Sequence, residues 1–327
     1  MEESESRKER PLLTFAVFSH DQERFIRESV AGAFAQTYSP LQIILTDDCS
    51  SDRSFEIMSE MASSYRGPHD VLLNRNPKNL GEAGHINRVM EMAKGDLVLI
   101  ADGDDVSLDV RAERSYMEWS RSGGSASQIY GDAITIDAEG REFGRWLNER
   151  IPSHARTLEE AVARGTVGIT GCTHMFTRKC FDVFGPLEGL NCCKDVAVSF
   201  RALFLGEVRY MDEPLVRYRI HGGNVSVEPG GRSTLAFRIR MAGYHENAYS
   251  SWLHDTRTAL AKGLITEERA ERIQRSLLLR QYWQNVEKQY CRSKGLQGLW
   301  TLLSSACEAA NIGPAMKIVD RKRRSRV

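Results

Sequence analysis

The sequence predicts an α/β fold with a central, mainly parallel sheet, followed by a helical extension. Three observations carry this. Over the first hundred residues, short apolar runs alternate four times with stretches of helical spacing. The connections are too short for anything but crossovers, which gives right-handed βαβ units. From about residue 232 onward the pattern is helical only.

The elements follow in order. "MEESESRKER" is charged, lacks an apolar signal region and reads as a disordered leader over residues 1–10. "LLTFAVF" (12–18) is a buried strand. In "SHDQERFIRESVAGAFAQTY", Ile26, Val30, Ala33 and Phe34 recur at helical spacing. "LQIILTDD" (41–48) is a second strand, and "SSDRSFEIMSEMASSY" a helix that Ser51 or Asp52 is placed to cap. "VLLNRN" (71–76) is a third strand. "GEAGHINRVMEMAKG" is a helix with Ile86, Val89, Met90 and Ala93 on one face and Gly95 as its stop. "DLVLIAD" is the fourth strand.

Past residue 106 the alternation weakens. "QIYGDAITID" (128–137) is a strand, and "TGCTHMFTRKCFDVFG" (170–185) holds a strand and a short helix. "KDVAVSFRALFLG" is helical, with Val198, Ala202 and Leu205 on one face. "VRYMDEPLVRYRIHGGNVS" is read as strand, turn at Pro214, strand. Thr266 is the expected cap of the long amphipathic "ERAERIQRSLLLRQYWQNVEKQY".

Composition excludes several classes. Lys+Arg and Asp+Glu balance at 44 each, so no global field argues for a nucleic-acid partner. The seven cysteines are odd in number and contain no CxxC pair, which fits reduced thiols in a cytoplasm better than disulfides or zinc. No apolar run approaches the ~20 residues of a membrane span.

Polar residues gather at the carboxyl ends of the strands, where open α/β sheets bind ligands. Asp47 and Asp48 in "TDDCSSD" are placed to accept from a base or ribose, or to cap the next helix. "LVLIADGDDVSLD" (97–109) ends an apolar run in Asp102, Asp104 and Asp105, with Gly103 leaving room for a ligand. Unpaired buried carboxylates are costly. Oxygen ligands at this spacing suit Mg²⁺ or Mn²⁺ shared with a diphosphate, the alternative being a solvated acidic loop. Asp195, at a helix start, is either a cap or a general base facing that site.

Taken together, "FAVFSHDQERFIRESVAGAFAQTY", "ILTDDCSSDRS", "NLGEAGHINRVMEMAKGDLVLIADGDD", "CKDVAVSFRALFLG" and "VRYRIHGGNVS" resemble glycosyltransferase family 2, in order and spacing, over residues 11 to about 226. The resemblance implies the GT-A fold: a nucleotide-sugar-binding half (11–105), an acceptor-binding half (106–230) and here a helical extension with a basic tail (231–327). It implies that Asp48 reads the base, with Asp21 and the backbone near Phe18 and Ser19 beside it. Asp104 stands at ribose and metal, and Asp105 faces the metal, Mn²⁺ or Mg²⁺. Asp102 opens the motif, and His221 approaches the diphosphate or metal. Asp195 is the implied base of an inverting transfer from a nucleoside-diphosphate sugar to a saccharide or lipid-linked acceptor. Two positions depart from the pattern: Ile86 stands where many relatives have Arg, and Lys194 where many have an acid.

Three other readings compete. A haloacid-dehalogenase-like phosphatase wants Asp-x-Asp on its first strand, which here ends "FSHDQ". A Rossmann dehydrogenase wants GxGxxG after a strand, and none occurs. A non-catalytic nucleotide-sugar binder would not need Asp195. In the tail, Leu296, Leu299, Trp300, Leu302 and Leu303 precede Arg321, Lys322, Arg323, Arg324 and Arg326, the composition of a peripheral membrane contact.

Overall fold

The computed structural model describes residues 10–147, 154–188, 193–224 and 234–292. Residues 1–9 of the expected leader (1–10), and the Leu/Trp stretch and basic cluster of the tail, lie outside the described residues; Arg10 is described and pairs with Glu113.

The first half alternates as its periodicity requires: β1 (Leu13–Ser19), α1 (Ile26–Phe34), β2 (Leu41–Asp47), α2 (Ser54–Ser64), β3 (Asp70–Arg75), α3 (Gly81–Met92) and β4 (Leu97–Asp102). The second half adds β5 (Val106–Ser107), α4 (Arg111–Arg121), β6 (Ala126–Ile136), β7 (Glu142–Arg145), α5 (Leu158–Arg164), a 3₁₀ turn (Gly171–Thr173), β8 (Met175–Thr177), α6 (Lys179–Asp182), α7 (Lys194–Leu205) and β9 (Glu207–Arg219). Two long helices, α8 (Leu235–Ala261) and α9 (Glu267–Arg292), follow.

One sheet runs through both halves in the order β3-β2-β1-β4-β8-β6-β9-β5, with β7 on β6. The first four strands pair in parallel. Beyond β4 the sheet is mixed: β8 is antiparallel to β4 and β6, while β6 and β9 are parallel. The chain winds outward through β2 and β3, then returns to place β4 on the other side of β1. That reversal opens a crevice at the carboxyl ends of β1 and β4, where Phe18 is in register with Asp102.

Both faces of the sheet are covered, so strand residues alternate between two cores. Leu13, Phe15 and Val17 meet Ile26, Val30 and Ala33 of α1 and Met58 of α2. Ala16, Val98 and Ile100 meet Ile86, Val89 and Met90 of α3 and Val198 and Ala202 of α7. Each fully buried branched side chain contributes roughly 1.5–3 kcal/mol. A third core joins the helical extension to the sheet domain, with Phe200 of α7 stacked on Trp252 of α8 at 4.2 Å between ring centroids. Beside it, Arg201 grips both carboxylate oxygens of Asp255 from Nε at 3.0 Å. Both side chains are fully buried.

Four local expectations need correction or detail. The third helix ends at Met92 with Ala93 extended, so Gly95 is not its stop. Gly95 instead packs against the backbone of Leu12–Thr14, where a Cβ would collide. Pro214 makes no turn: β9 is continuous through it, and the missing N–H is absorbed by a register shift against β6 near Asp132. The first helix begins only at Ile26, which leaves His20–Phe25 as a loop at the crevice. Asp52 accepts from the Ser54 N–H at 2.9 Å at the start of α2, and Thr266 from the Arg269 N–H at 3.3 Å at the start of α9.

Candidate active site

A cleft of about 740 Å³ opens at the carboxyl ends of the strands, and eight of the residues named from the sequence line it, Asp47 not among them: Ser19, Asp21, Asp48, Asp102, Asp104, Asp105, Asp195 and His221. They differ in what their side chains already hold.

On the wall nearest β1 and β2, the acids organise the loops. Asp21 sits at φ 52°, and its carboxylate accepts from the Ser51 N–H at 2.7 Å. That backbone bond holds its carboxyl below the usual carboxylate range. Ser19 is buried, and its hydroxyl has no hydrogen-bond partner. Asp48 accepts three bonds: from the Asn76 amide (2.8 Å), the Leu80 N–H (2.9 Å) and the Gly81 N–H (3.0 Å). It therefore anchors the start of α3, not the helix that follows it directly. A carboxylate has about four acceptor positions, so one remains for a ligand. Asp47 turns away, fully buried, to hold Ser50.

The two departures from the family pattern are resolved by their surroundings. Ile86 is fully buried in the core. Arg88 faces outward and pairs with Glu91. His85, in contrast, lines the cleft against the edge of Phe18, its Nε2 bonded to the Thr46 hydroxyl. Lys194 reaches across the cleft, its Nζ 2.8 Å from Asp102 Oδ1. Burial works against its charge, but Asp102, Asp195 and Glu82 outweigh that and hold the ammonium well above its ordinary range. Burial likewise works against the Asp102 carboxylate, and Lys194 more than offsets it. Sequence reasoning looked for a metal as the partner of this acid; the residue beside Asp195 is the partner.

The remaining acids form the floor. Asp104 Oδ2 meets His221 Nε2 at 2.9 Å. Asp105 lies deeper: Oδ1 accepts from the Arg219 N–H at 2.8 Å, while Oδ2 is buried without a partner among the described residues. Burial first, then Asp104 and Asp102, push its carboxyl well up. Arg219, fully buried, also donates to the Asp104 carbonyl (2.9 Å) and to Glu28 (2.8 Å), fixing the acidic loop from behind. Among the described residues no cluster of three acid, His or Cys ligands is preformed. Two carboxylates and an imidazole that an incoming phosphate can complete do suit a hard divalent ion, and the orphaned Asp105 oxygen is where positive charge is lacking.

Asp195 stands on the opposite wall, in the first turn of α7. Burial raises its carboxyl to about 6, with Lys194 opposing and Asp102 and Glu82 adding to the rise. Its side chain keeps 23% exposure toward the cleft. Gly171 lies so close that any Cβ there would displace the carboxylate. Arg219 and His174 carry no role at this site in the sequence reading, whereas Lys194 enters it as a departure and His85, with Arg88, as a substitute for the arginine that Ile86 replaces. The available signal was polar side chains inside otherwise apolar strand runs, as in "QIYGD", "CTHMF" and "VRYRI".

Known proteins resemble the chain in sequence and in fold. The chain is 24% identical over 220 residues to an uncharacterized glycosyltransferase of Nostoc sp., covering 65% of this chain and 66% of that one. It is 22% identical over 229 residues to chondroitin synthase of Escherichia coli, covering 69% and 31%. These matches span less than two thirds of the relatives' own length. Its fold is similar to S. aureus TarS (residues 1–349, in complex with UDP-GlcNAc), with TM-score 0.60, 13% identity and coverage of 91% and 80%. It is also similar to the mannosyltransferase PcManGT from Pyrobaculum calidifontis (in complex with GDP-Man and Mn²⁺), with TM-score 0.53, 16% identity and coverage of 93% and 81%. Among the described residues, no helix is long and apolar enough to cross a membrane. The family model for glycosyl transferase family 2 matches residues 14–184, more than half of the chain. The chain therefore belongs to glycosyl transferase family 2 and has the GT-A fold.

Proposed function

We propose that the protein is an inverting glycosyltransferase. It moves a sugar from a nucleoside-diphosphate sugar to a hydroxyl of a saccharide or lipid-linked acceptor, in the synthesis of a surface polysaccharide or glycolipid. The observation that carries this reading is Asp195: a carboxylate raised to about 6, still open to the cleft, across from an acidic loop at the sheet's switch point. Fold neighbours in complex with UDP-GlcNAc and with GDP-Man support a nucleotide-sugar donor.

In this reading Asp48 uses its free acceptor position for a base N–H, with His85 and Phe18 beside the base. Ser19 and Asp21 border the nucleoside, and Asp102, held by Lys194, borders the ribose. Asp104 and Asp105, with His221, would hold Mn²⁺ or Mg²⁺, which supplies positive charge against that growing on the leaving diphosphate. Asp195 takes the proton of the acceptor hydroxyl as its oxygen attacks the anomeric carbon, and the nucleoside diphosphate leaves from the opposite face. Residues 11–105 would serve the donor and 106–230 the acceptor. The basic tail would bring the enzyme to an anionic cytoplasmic leaflet where a lipid-linked acceptor resides.

The test is incubation with a panel of UDP- and GDP-sugars and Mn²⁺, reading nucleoside diphosphate release and the anomeric configuration of the product by NMR. Release with inversion is expected. Retention of configuration would overturn the inverting assignment. Absence of both release and thermal stabilisation across the panel would overturn the donor assignment.

A further inference from the structure

Behind Asp195 lies a buried polar chain that the transfer described above does not use. Ser199, one turn along α7, donates its hydroxyl proton to the Asp195 carbonyl at 2.6 Å. With that proton spent, its oxygen can only accept from Gln128 of β6, at 2.9 Å, so Gln128 presents its NH₂ there. The same NH₂ lies 2.7 Å from His174 Nδ1. Nδ1 is therefore the acceptor, and the proton of the neutral ring sits on Nε2. Nε2 is buried, has no other hydrogen-bond partner among the described residues, and lies 3.5 Å from Asp195 Oδ1. Oδ1 is itself buried and, among the described residues, unpartnered. Two orphaned, complementary atoms thus face each other at a distance that catalytic contacts commonly close only when substrate is bound.

We propose that His174 is a positioning residue for the base: its Nε2–H donates to Asp195 Oδ1 and turns the exposed part of the carboxylate to the acceptor hydroxyl, with Gln128 and Ser199 fixing the imidazole tautomer. This rests on the reading of Asp195 as the base. Burial first, then Arg111 and Lys194, hold the ring's pKa down to about 3, so it stays neutral and keeps a single donor. The groups facing Asp195 from the packed elements are Lys194 beside it, Asp102 of β4, Glu82 of α3 and Arg111 of α4. None of them donates a hydrogen bond to Oδ1. A neutral donor there favours the carboxylate over the acid without adding a charge that repels Lys194.

Two measurements test this. Nitrogen-15 long-range spectra of histidine-labelled full-length protein should show His174 neutral and protonated at Nε2, with that resonance moved in Asp195→Asn. An Nδ1–H tautomer, or a resonance indifferent to Asp195→Asn, would overturn the proposal. The second follows Mn²⁺-dependent hydrolysis of whichever UDP- or GDP-sugar probe the wild type turns over fastest, water being the acceptor. His174→Leu should lower kcat about 10- to 100-fold, leave nucleotide affinity within about twofold, and move the acid limb of the pH profile upward. His174→Gln, which keeps a donor near the Nε2 position, should restore most of the loss. A folded His174→Leu with unchanged kcat and limb contradicts the idea, as does a loss that Gln does not rescue. If Asp195→Asn keeps full turnover, the base assignment fails, a result distinct from either His174 outcome.

Discussion

Lys194 and Asp102 form an ion pair across the cleft, 2.8 Å from Nζ to Oδ1, joining the helix that carries Asp195 to the strand that ends in the acidic loop. Lys194 is 12% exposed and Asp102 33%. Lys194→Met should cost roughly 2 kcal/mol of stability, below the 3–5 of a fully buried pair because water still reaches Asp102. It also removes a positive charge beside Asp195, so the base titrates at higher pH. Urea melts and a pH–rate profile check both effects; an unchanged profile would mean that Lys194 does not act on the base.

The pH dependence of transfer follows from Asp195. A base works as the carboxylate, and burial raises its pKa to about 6. Activity should therefore fall as pH drops through about 6, where an exposed aspartate would hold activity down to about 4. Asp195→Asn should lower transfer at least ~100-fold with donor affinity little changed. Steady-state rates beside calorimetric donor titrations separate the two.

Metal dependence follows from the Asp104–His221 pair. With no preformed three-ligand cluster among the described residues, ion and diphosphate should bind together. EDTA, Asp104→Ala and His221→Ala should each weaken nucleoside diphosphate binding at least ~10-fold in calorimetry. Equal affinity with and without Mn²⁺ would remove the ion from the site.

Asp48 carries two duties. Asp48→Ala releases two backbone hydrogen bonds at the start of α3 and one from the Asn76 amide, and should cost roughly 1–2 kcal/mol, the scale of a lost helix cap. The remaining acceptor position suits a ring N–H, so uridine, thymidine and guanosine diphosphates should bind more tightly than adenosine diphosphate. A thermal-shift panel on wild type and variant reads both, and tight ADP binding that survives the substitution would contradict the assignment.

The Arg201–Asp255 pair gives a stability prediction away from the chemistry. Both side chains are fully buried, and Arg201 also donates to the Gly185 carbonyl at 2.6 Å. Arg201→Leu leaves a buried carboxylate alone and should cost roughly 3–5 kcal/mol. Asp255→Asn should cost less. Chemical denaturation curves decide the order.

Much of this was readable in the sequence because local periodicity and local function coincide. The four alternations were clear since β1, β2 and β4 are buried on both faces, β3 keeps an apolar run at the sheet edge, and each helix is buried on one face. The acidic residues at the strand ends were visible because several carboxylates directly follow apolar runs at the sheet end where such folds bind ligands. What escaped depended on pairings across long separations. Nothing local says that Lys194 meets Asp102, ninety-two residues earlier, or that Gln128 sets the proton of His174. Pro214 read as a turn because proline lacks a donor; a register shift in the sheet took up that defect.

The stacking of Trp252 on Phe200 has a consequence for anyone exchanging parts among these enzymes. The indole N–H also reaches the Val196 carbonyl at 3.1 Å, one residue from Asp195. The helix that aims Asp195 is therefore seated from outside the segment by which the family is matched, residues 14–184. A chimera that exchanges the helical extension at residue 231 would replace the bearing on which that helix rests. Recombination junctions belong upstream of Lys194 or downstream of Ala261, so that the helix and its bearing travel together.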